Sequence, residues 1–159
     1  MTETVESLFA RPLLPIANEA DATATCRAAF PHIAGQHGQA TVVHVIEKAG
    51  GAPDKAGVEQ REELADEVFD IVARIADEFG LDVKTELRFA TDVAEEILDV
   101  ADETDATAIV FSPREGRGWW DLFSGDVRKH LVHNDERPVV VLPGSDETEP
   151  DSTTDDGDR

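Results

Sequence analysis

The sequence predicts an α/β fold, a five-stranded parallel sheet with helices on both faces. Two observations carry this. Five short runs rich in β-branched and other apolar residues alternate with four segments whose apolar residues recur at helical spacing, the order that a parallel sheet with crossover helices requires. The fourth run, Thr107-Ala108-Ile109-Val110-Phe111, reads as a buried strand that hands over, through the stretch from Ser112 to Val127, to a short helix with Val127, Leu131 and Val132 on its apolar face. In an open α/β sheet the loop leaving a strand's carboxyl end is the usual ligand site, and the helix that follows offers backbone N–H groups to an anion. Glu115, Asp121 and Asp126 in this stretch oppose the anion that the architecture invites.

Taken in order, residues 1–10 read as a loose N-terminal extension. Leu13 to Ala17 is the first strand, where Pro15 is tolerable only near the end or where a ladder hydrogen bond is missing. Asn18-Glu19-Ala20-Asp21 supplies a turn and a capping candidate. Ala22, Cys26, Ala29, Phe30 and Ile33 follow at helical spacing, a face of mostly small residues that lets a helix lie close to a sheet. Pro31 removes one backbone bond and clashes with the preceding turn, so this helix is expected to kink or break near Phe30. Gly38 closes the segment, and Ala40 to Ile46 is a second strand rich in β-branched residues.

Glu47 to Gly57, with three glycines and Pro53, reads as a mobile loop. Leu64, Val68, Ile71, Val72, Ile75 and Phe79 make the clearest helical pattern in the chain, and Gly80 suits the residue just past its end. Val83, Thr85, Leu87 and Phe89 alternate with Lys84, Glu86 and Arg88, which predicts a third strand with one solvated face. Thr91 or Asp92 caps a third helix with Ala94, Ile97, Leu98 and Ala101 toward the core. Ser124 or Asp126 opens the fourth helix, and Arg137 to Leu142 makes the fifth strand. Residues 144–159 contain no apolar side chain and are expected to be disordered, leaving 11–143 as the folded domain.

At 159 residues with 40% apolar content the chain suits one domain with a proper core. Its 35 acidic residues against 14 basic ones give a formal charge of −21. Such a surface repels nucleic acid and anionic membrane, whose binding relies on Lys and Arg contacts to phosphates, so neither is an expected partner. The acid is not confined to a tail, since Glu59, Glu62, Glu63, Asp66, Glu67 and Asp70 share one segment. Only four lysines occur (Lys48, Lys55, Lys84, Lys129), a combination that suits a salt-filled cytoplasm and predicts destabilisation at low salt. At about 1 M salt the Debye length is roughly 3 Å, which screens most self-repulsion. An ordinary acidic cytosolic protein is the alternative reading. The single cysteine, Cys26, excludes an internal disulfide and a multi-cysteine metal site, and its neighbours Ala22, Ala29 and Phe30 suggest burial. No signal peptide is expected, because the N-terminus lacks a basic start before an apolar core. No run approaches 18 uncharged apolar residues, so the expected location is the cytoplasm.

A first strand ending in Pro-Ile-Ala, a second reading Val-Val-His-Val-Ile-Glu, the run from Asp92 to Leu98 and the span from Ile109 to Leu142 together resemble the universal stress protein (UspA) domain. The resemblance covers roughly residues 11 to 142. It implies a Rossmann-like sandwich of strand order 3-2-1-4-5, a cytoplasmic homodimer and a role in stress tolerance. It also places a nucleotide site around Ile16, Ala17, Val45, Ser112, Arg114, Glu115, Arg117, Gly125, Asp126 and Val127. Nucleotide-binding members resemble one another in a glycine motif, G-x2-G-x9-G-[ST], after the fourth strand, and in an aspartate ending the first. The motif positions here are Ser112, Glu115, Gly125 and Asp126, and the aspartate position is Ala17, so one motif position of four is kept. Glycine lets a backbone approach phosphates, whereas Glu115 adds bulk and like charge, and Asp126 can accept the helix N–H groups itself. A degenerate site without tightly held cofactor is therefore expected. The alternative is residual ATP or AMP binding by a shifted loop, using Arg114, Arg117, Gly116, Gly118 and the helix start.

Other constellations carry less. His130 and His133 lie one helical turn apart without a third ligand close in sequence, so no metal site is expected. His44 on a central strand reads as structural, and His32 and His37 carry no signal. Ser112 and Ser124 sit in no Gly-x-Ser-x-Gly elbow, and no carboxylate is placed to orient a histidine, so no enzyme is expected. Trp119-Trp120 and Leu122-Phe123 concentrate large apolar groups in a loop, either as a lid packed on the helix or as a contact for a protein partner. In the implied strand order Val139, Val140 and Val141 form an edge that is apolar on both faces, and pairing across a two-fold axis there would join two copies.

Overall fold

The computed structural model describes residues 5–48, 55–112 and 125–144. Strands β1 (Pro12–Ile16), β2 (Thr41–Glu47), β3 (Lys84–Ala90), β4 (Ala108–Phe111) and β5 (Val139–Val141) form one sheet in the order β3-β2-β1-β4-β5. Every neighbouring pair is parallel. The helices α1 (Glu19–Gly35), α2 (Lys55–Glu78), α3 (Val93–Glu103) and α4 (Gly125–Val132) provide the crossovers. The expected fold class and strand order are both present.

Successive side chains of a strand point to opposite faces, so each inner strand feeds two cores. Leu14, Ile16 and Val42 pack with Ala22, Cys26, Phe30, Val68 and Val72 of α1 and α2. Leu13, Val43 and Ile109 pack with Ala94, Ile97, Ala101 and Leu131 of α3 and α4. β1 is buried at all five positions, prolines included. Each fully buried Val, Leu, Ile or Phe of these cores stabilises the fold by about 1.5–3 kcal/mol.

The side chain of Asn18 caps α1 by accepting the Asp21 N–H at 2.9 Å. Ala22, Cys26 and Ala29 are fully buried against the sheet. Burial pushes the Cys26 thiol up to about 12, which leaves it inert at neutral pH. The expected break at Pro31 is absent, because α1 runs on to Gly35. Pro31 lies on the exposed side, and the fully buried Phe30 and Ile33 anchor the turn around it, so packing outweighs one missing bond.

Both long helices end in the same cap. Gly80 takes φ +65° while Leu81 N–H reaches back to the Ala76 carbonyl at 2.9 Å, and His37 takes φ +53° while Gly38 N–H reaches the Ile33 carbonyl at 3.0 Å. Position 38 requires glycine, since a Cβ there would overlap the Phe9 carbonyl. Gln39 N–H donates to the Ala10 carbonyl at 2.9 Å, and the Phe9 ring stacks on His32 at 5.0 Å. The segment before β1 thus lies across the turn between α1 and β2.

Three expectations shift. The loop after β2 is shorter than read, because α2 already begins at Lys55; residues 49–54 lie outside the described residues. Leu64 is 38% exposed, while the buried seam of α2 runs through Ala65, Val68, Val72, Ile75 and Ala76. β3, expected to have one solvated face, has no fully buried residue on either, and Phe89 is 38% exposed, because the strand is a sheet edge covered on neither side completely. Its Arg88 is drawn onto α3 by Glu96 and Glu103, with Nη2 2.6 Å from Glu103. The Asp92 side chain caps α3 by accepting the Glu95 N–H at 3.1 Å. Among the described residues no helix is long and apolar enough to cross a membrane. The acidic tail beyond Gly144 lies outside them.

Candidate functional site at the strand ends

The chain leaves β1 toward β2 on one side and reaches β4 on the other, so the carboxyl ends of β1 and β4 frame the crevice where open α/β sheets take ligands. Ile16 ends β1 there and is buried, and its carbonyl lies 3.0 Å from His44 Nδ1 on β2. A carbonyl only accepts, so Nδ1 carries a proton. Edge-on contact with Phe69 at 6.4 Å fixes the imidazole further. Ala17 follows Ile16 with only a methyl group to offer.

Across the crevice Ser112 is fully buried. Its N–H donates to Thr25 Oγ at 3.2 Å, and the Thr25 hydroxyl lies 3.4 Å from its carbonyl. Asp21, one turn before Thr25 on the same face of α1, is also buried. Neither Asp21 nor Thr25 was singled out from sequence as a site residue. Their i, i+4 spacing within an alanine-rich face was the available signal, but the contact to Ser112 spans 87 residues and leaves no local trace.

α4 begins at Gly125, with Asp126 exposed in its first turn and Val127 packed against the second core. Arg114, Glu115, Arg117, Asp121 and the stretch from Trp119 to Phe123 lie outside the described residues. The sheet therefore brings Ile16, Ala17 and Ser112 together, with Val45 one strand away on β2. Among the described residues no three His, Cys, Asp or Glu side chains gather as a metal-binding group. His130 and His133 are both exposed on α4 and the turn after it.

Acid also crowds the flank of this edge. Glu67 of α2 faces Glu19 in the first turn of α1. The hydrogen bond that the protonated Glu67 carboxyl donates to Glu19, followed by the charge of Glu19, desolvation and the charges of Glu63 and Asp70, holds Glu67 above the usual range. Beside it, a cleft of about 370 Å³ opens at the end of β2, lined by His44, Val45, Ile46, Glu47, Arg61 and Leu64. Arg61 was not singled out from sequence either; its Nη1 donates to the Glu47 carbonyl at 2.9 Å.

The model of the Universal stress protein family matches residues 9–143. The chain belongs to that family. No curated protein sequence matches it. Among solved structures, it is similar to a protein of the universal stress protein family from Burkholderia pseudomallei. That match has 23% identity and a TM-score of 0.66, and covers 87% of this chain and 99% of the other. A universal stress protein from Archaeoglobus fulgidus in complex with dAMP is 19% identical with a TM-score of 0.61, covering 86% and 99%. A universal stress protein in complex with cAMP is 13% identical with a TM-score of 0.63, covering 85% and 97%. At these identities the likeness is one of fold, and it places the universal stress protein sheet, with its crevice between β1 and β4, in this chain.

Proposed function

We propose that this universal stress protein is a cytoplasmic, homodimeric regulatory module of a salt-rich cell, with a degenerate nucleotide site and no catalytic activity. The observation that carries the reading is at the crevice itself. Ala17 stands where nucleotide-binding relatives are expected to hold a carboxylate, and Asp126 sets a negative charge in the first turn of α4. Ser112, at the first glycine position of the motif, is buried beneath Thr25. A carboxylate about 4 Å from a phosphate costs roughly 1–4 kcal/mol at the dielectrics of water and protein surface.

Isothermal titration of ATP with Mg²⁺ in about 2 M KCl tests it. The expected dissociation constant is weaker than about 1 mM, whereas a micromolar value overturns the reading. That outcome would favour the second reading, a nucleotide-binding protein using Arg114, Arg117, Gly125 and the start of α4, which the dAMP and cAMP complexes of the two relatives support.

The dimer is proposed through β5. Val139 and Val140 are half-buried and Val141 is 39% exposed on a strand that pairs only with β4 in the sheet order. An apolar edge of this kind is covered by pairing with a second copy. Val140→Lys is expected to convert a dimer to a monomer in sedimentation velocity; an unchanged dimer would place the contact elsewhere.

A further inference from the structure

A second cleft, of about 410 Å³, opens at the amino ends of β2 and β3, the far end of the sheet from the crevice. It lies between the turns that close α1 and α2, and its lining includes His37, Gly38, Gln39, Phe79, Leu81 and Asp82. The volume falls in the range of small-ligand sites, about 300–1,000 Å³. Its charge is one-sided. Both long helices end here, and the carboxyl end of a helix carries a partial charge of about −0.5 that a cation in the last turn offsets. Neither last turn contains a lysine or arginine: α1 has His32, whose ring is stacked on Phe9, and α2 has Asp77 and Glu78. Asp82, exposed in the lining, adds a full negative charge, and Lys84, which opens β3, is not among the residues that line the cleft. Beside this charge stand two half-buried apolar side chains, Leu81 and Phe79, the latter ring nearly perpendicular to that of Phe30 at 6.3 Å. An aromatic face attracts a cation within about 6 Å.

We propose that this cleft binds a small organic cation, a primary alkylammonium whose head takes the helix ends and Asp82 and whose hydrocarbon stem lies on Phe79 and Leu81. An ammonium brings three N–H donors to carbonyls and carboxylates, and its stem covers apolar surface that a hydrated metal ion would leave wet. The formal charge of −21 draws cations toward the whole surface, so it is the apolar lining that sets this cleft apart from the acidic face of α2. Lying at the opposite end of the sheet, the site is independent of whether the crevice holds a nucleotide.

The test is titration of the full chain with butylammonium, 1-butanol and pentanoate, followed by amide chemical shifts, in about 2 M KCl, where long-range attraction is screened. Butylammonium is expected to bind with a dissociation constant of about 1–10 mM and to move the amides of Gly38, Gly80 and Leu81. 1-Butanol, with a hydroxyl in place of the ammonium, should bind roughly tenfold more weakly, and pentanoate should not bind. Asp82→Asn and Phe79→Leu should each weaken butylammonium binding about threefold, the second through loss of the ring face, while Glu62→Gln on the exposed side of α2 leaves it unchanged. Asp82 is exposed, so its variant keeps the fold and decides the matter even where Phe79→Leu loosens the core. Equal affinity for 1-butanol, shifts that follow the acidic face of α2 instead of the two turns, an affinity unmoved by Asp82→Asn, or no binding up to about 100 mM each overturn the proposal.

Discussion

Lowering KCl from about 2 M to 0.1 M is expected to drop the melting temperature by roughly 10 °C or more. For a domain of this size each kcal/mol moves the transition by about 2–4 °C, and a few kcal/mol of self-repulsion suffices. The source is visible on α2, where Glu59, Glu62, Glu63, Asp66, Glu67 and Asp70 are all exposed at three- and four-residue spacings, so each faces a like charge. The raised Glu67 carboxyl reports the same crowding, since a proton shared with Glu19 relieves it. A carboxyl with a folded value above its unfolded one binds protons more readily when folded. Its unfavourable contribution therefore grows as pH rises through that window and is relieved on acidification. Mild acid should consequently recover part of what salt provides, until the Arg27 pair with Glu78, whose carboxyl is held low first by its hydrogen bond to Arg27, begins to fail at lower pH. Replacing Glu59, Glu62, Glu63 and Asp66 by lysine should flatten the salt dependence. A transition indifferent to KCl in the parent protein would remove the salt-adapted reading.

Replacing Glu115 by Gly and Asp126 by Ser together is expected to strengthen ATP binding by roughly tenfold or more, even with much of the Coulomb repulsion screened in about 2 M KCl. The pair restores a residue without a side chain at the second glycine position and a hydroxyl donor in the first turn of α4, so steric access and charge change together. Ala17→Asp, added third, separates the two halves of the crevice. A gain that arrives only with the third change would locate the decisive loss at the end of β1. No gain at any stage would mean that acid in the loop is not what keeps ATP out.

How much of this was legible depended on the range of the interaction. The strands were readable because β-branched runs such as Val42 to Ile46 have one local outcome, and α2 because its period repeats without a break from Leu64 to Phe79. Pro31 was misread because its local cost is real, and the burial of Phe30 and Ile33 that offsets it is set by tertiary packing. Leu64 was misplaced because hydrophobicity alone does not weigh the small residues Ala65 and Ala76, which let α2 approach the sheet. At the site, Ala17, Val45 and Ser112 were legible by position along the chain. Thr25 and Arg61 were not, because their partners, Ser112 and the backbone of Glu47, are chosen by the fold.

The two margins of the sheet are unlike. One is β3, seven residues long, carrying Lys84, Glu86 and Arg88 with its arginine drawn toward α3; the other is β5, three bare valines. Strand-to-strand growth needs both margins receptive, and here alternating charge guards one of them. Self-association along the sheet would thus close at two subunits rather than propagate into a fibre, a safeguard of some value to a chain whose own repulsion salt would mute.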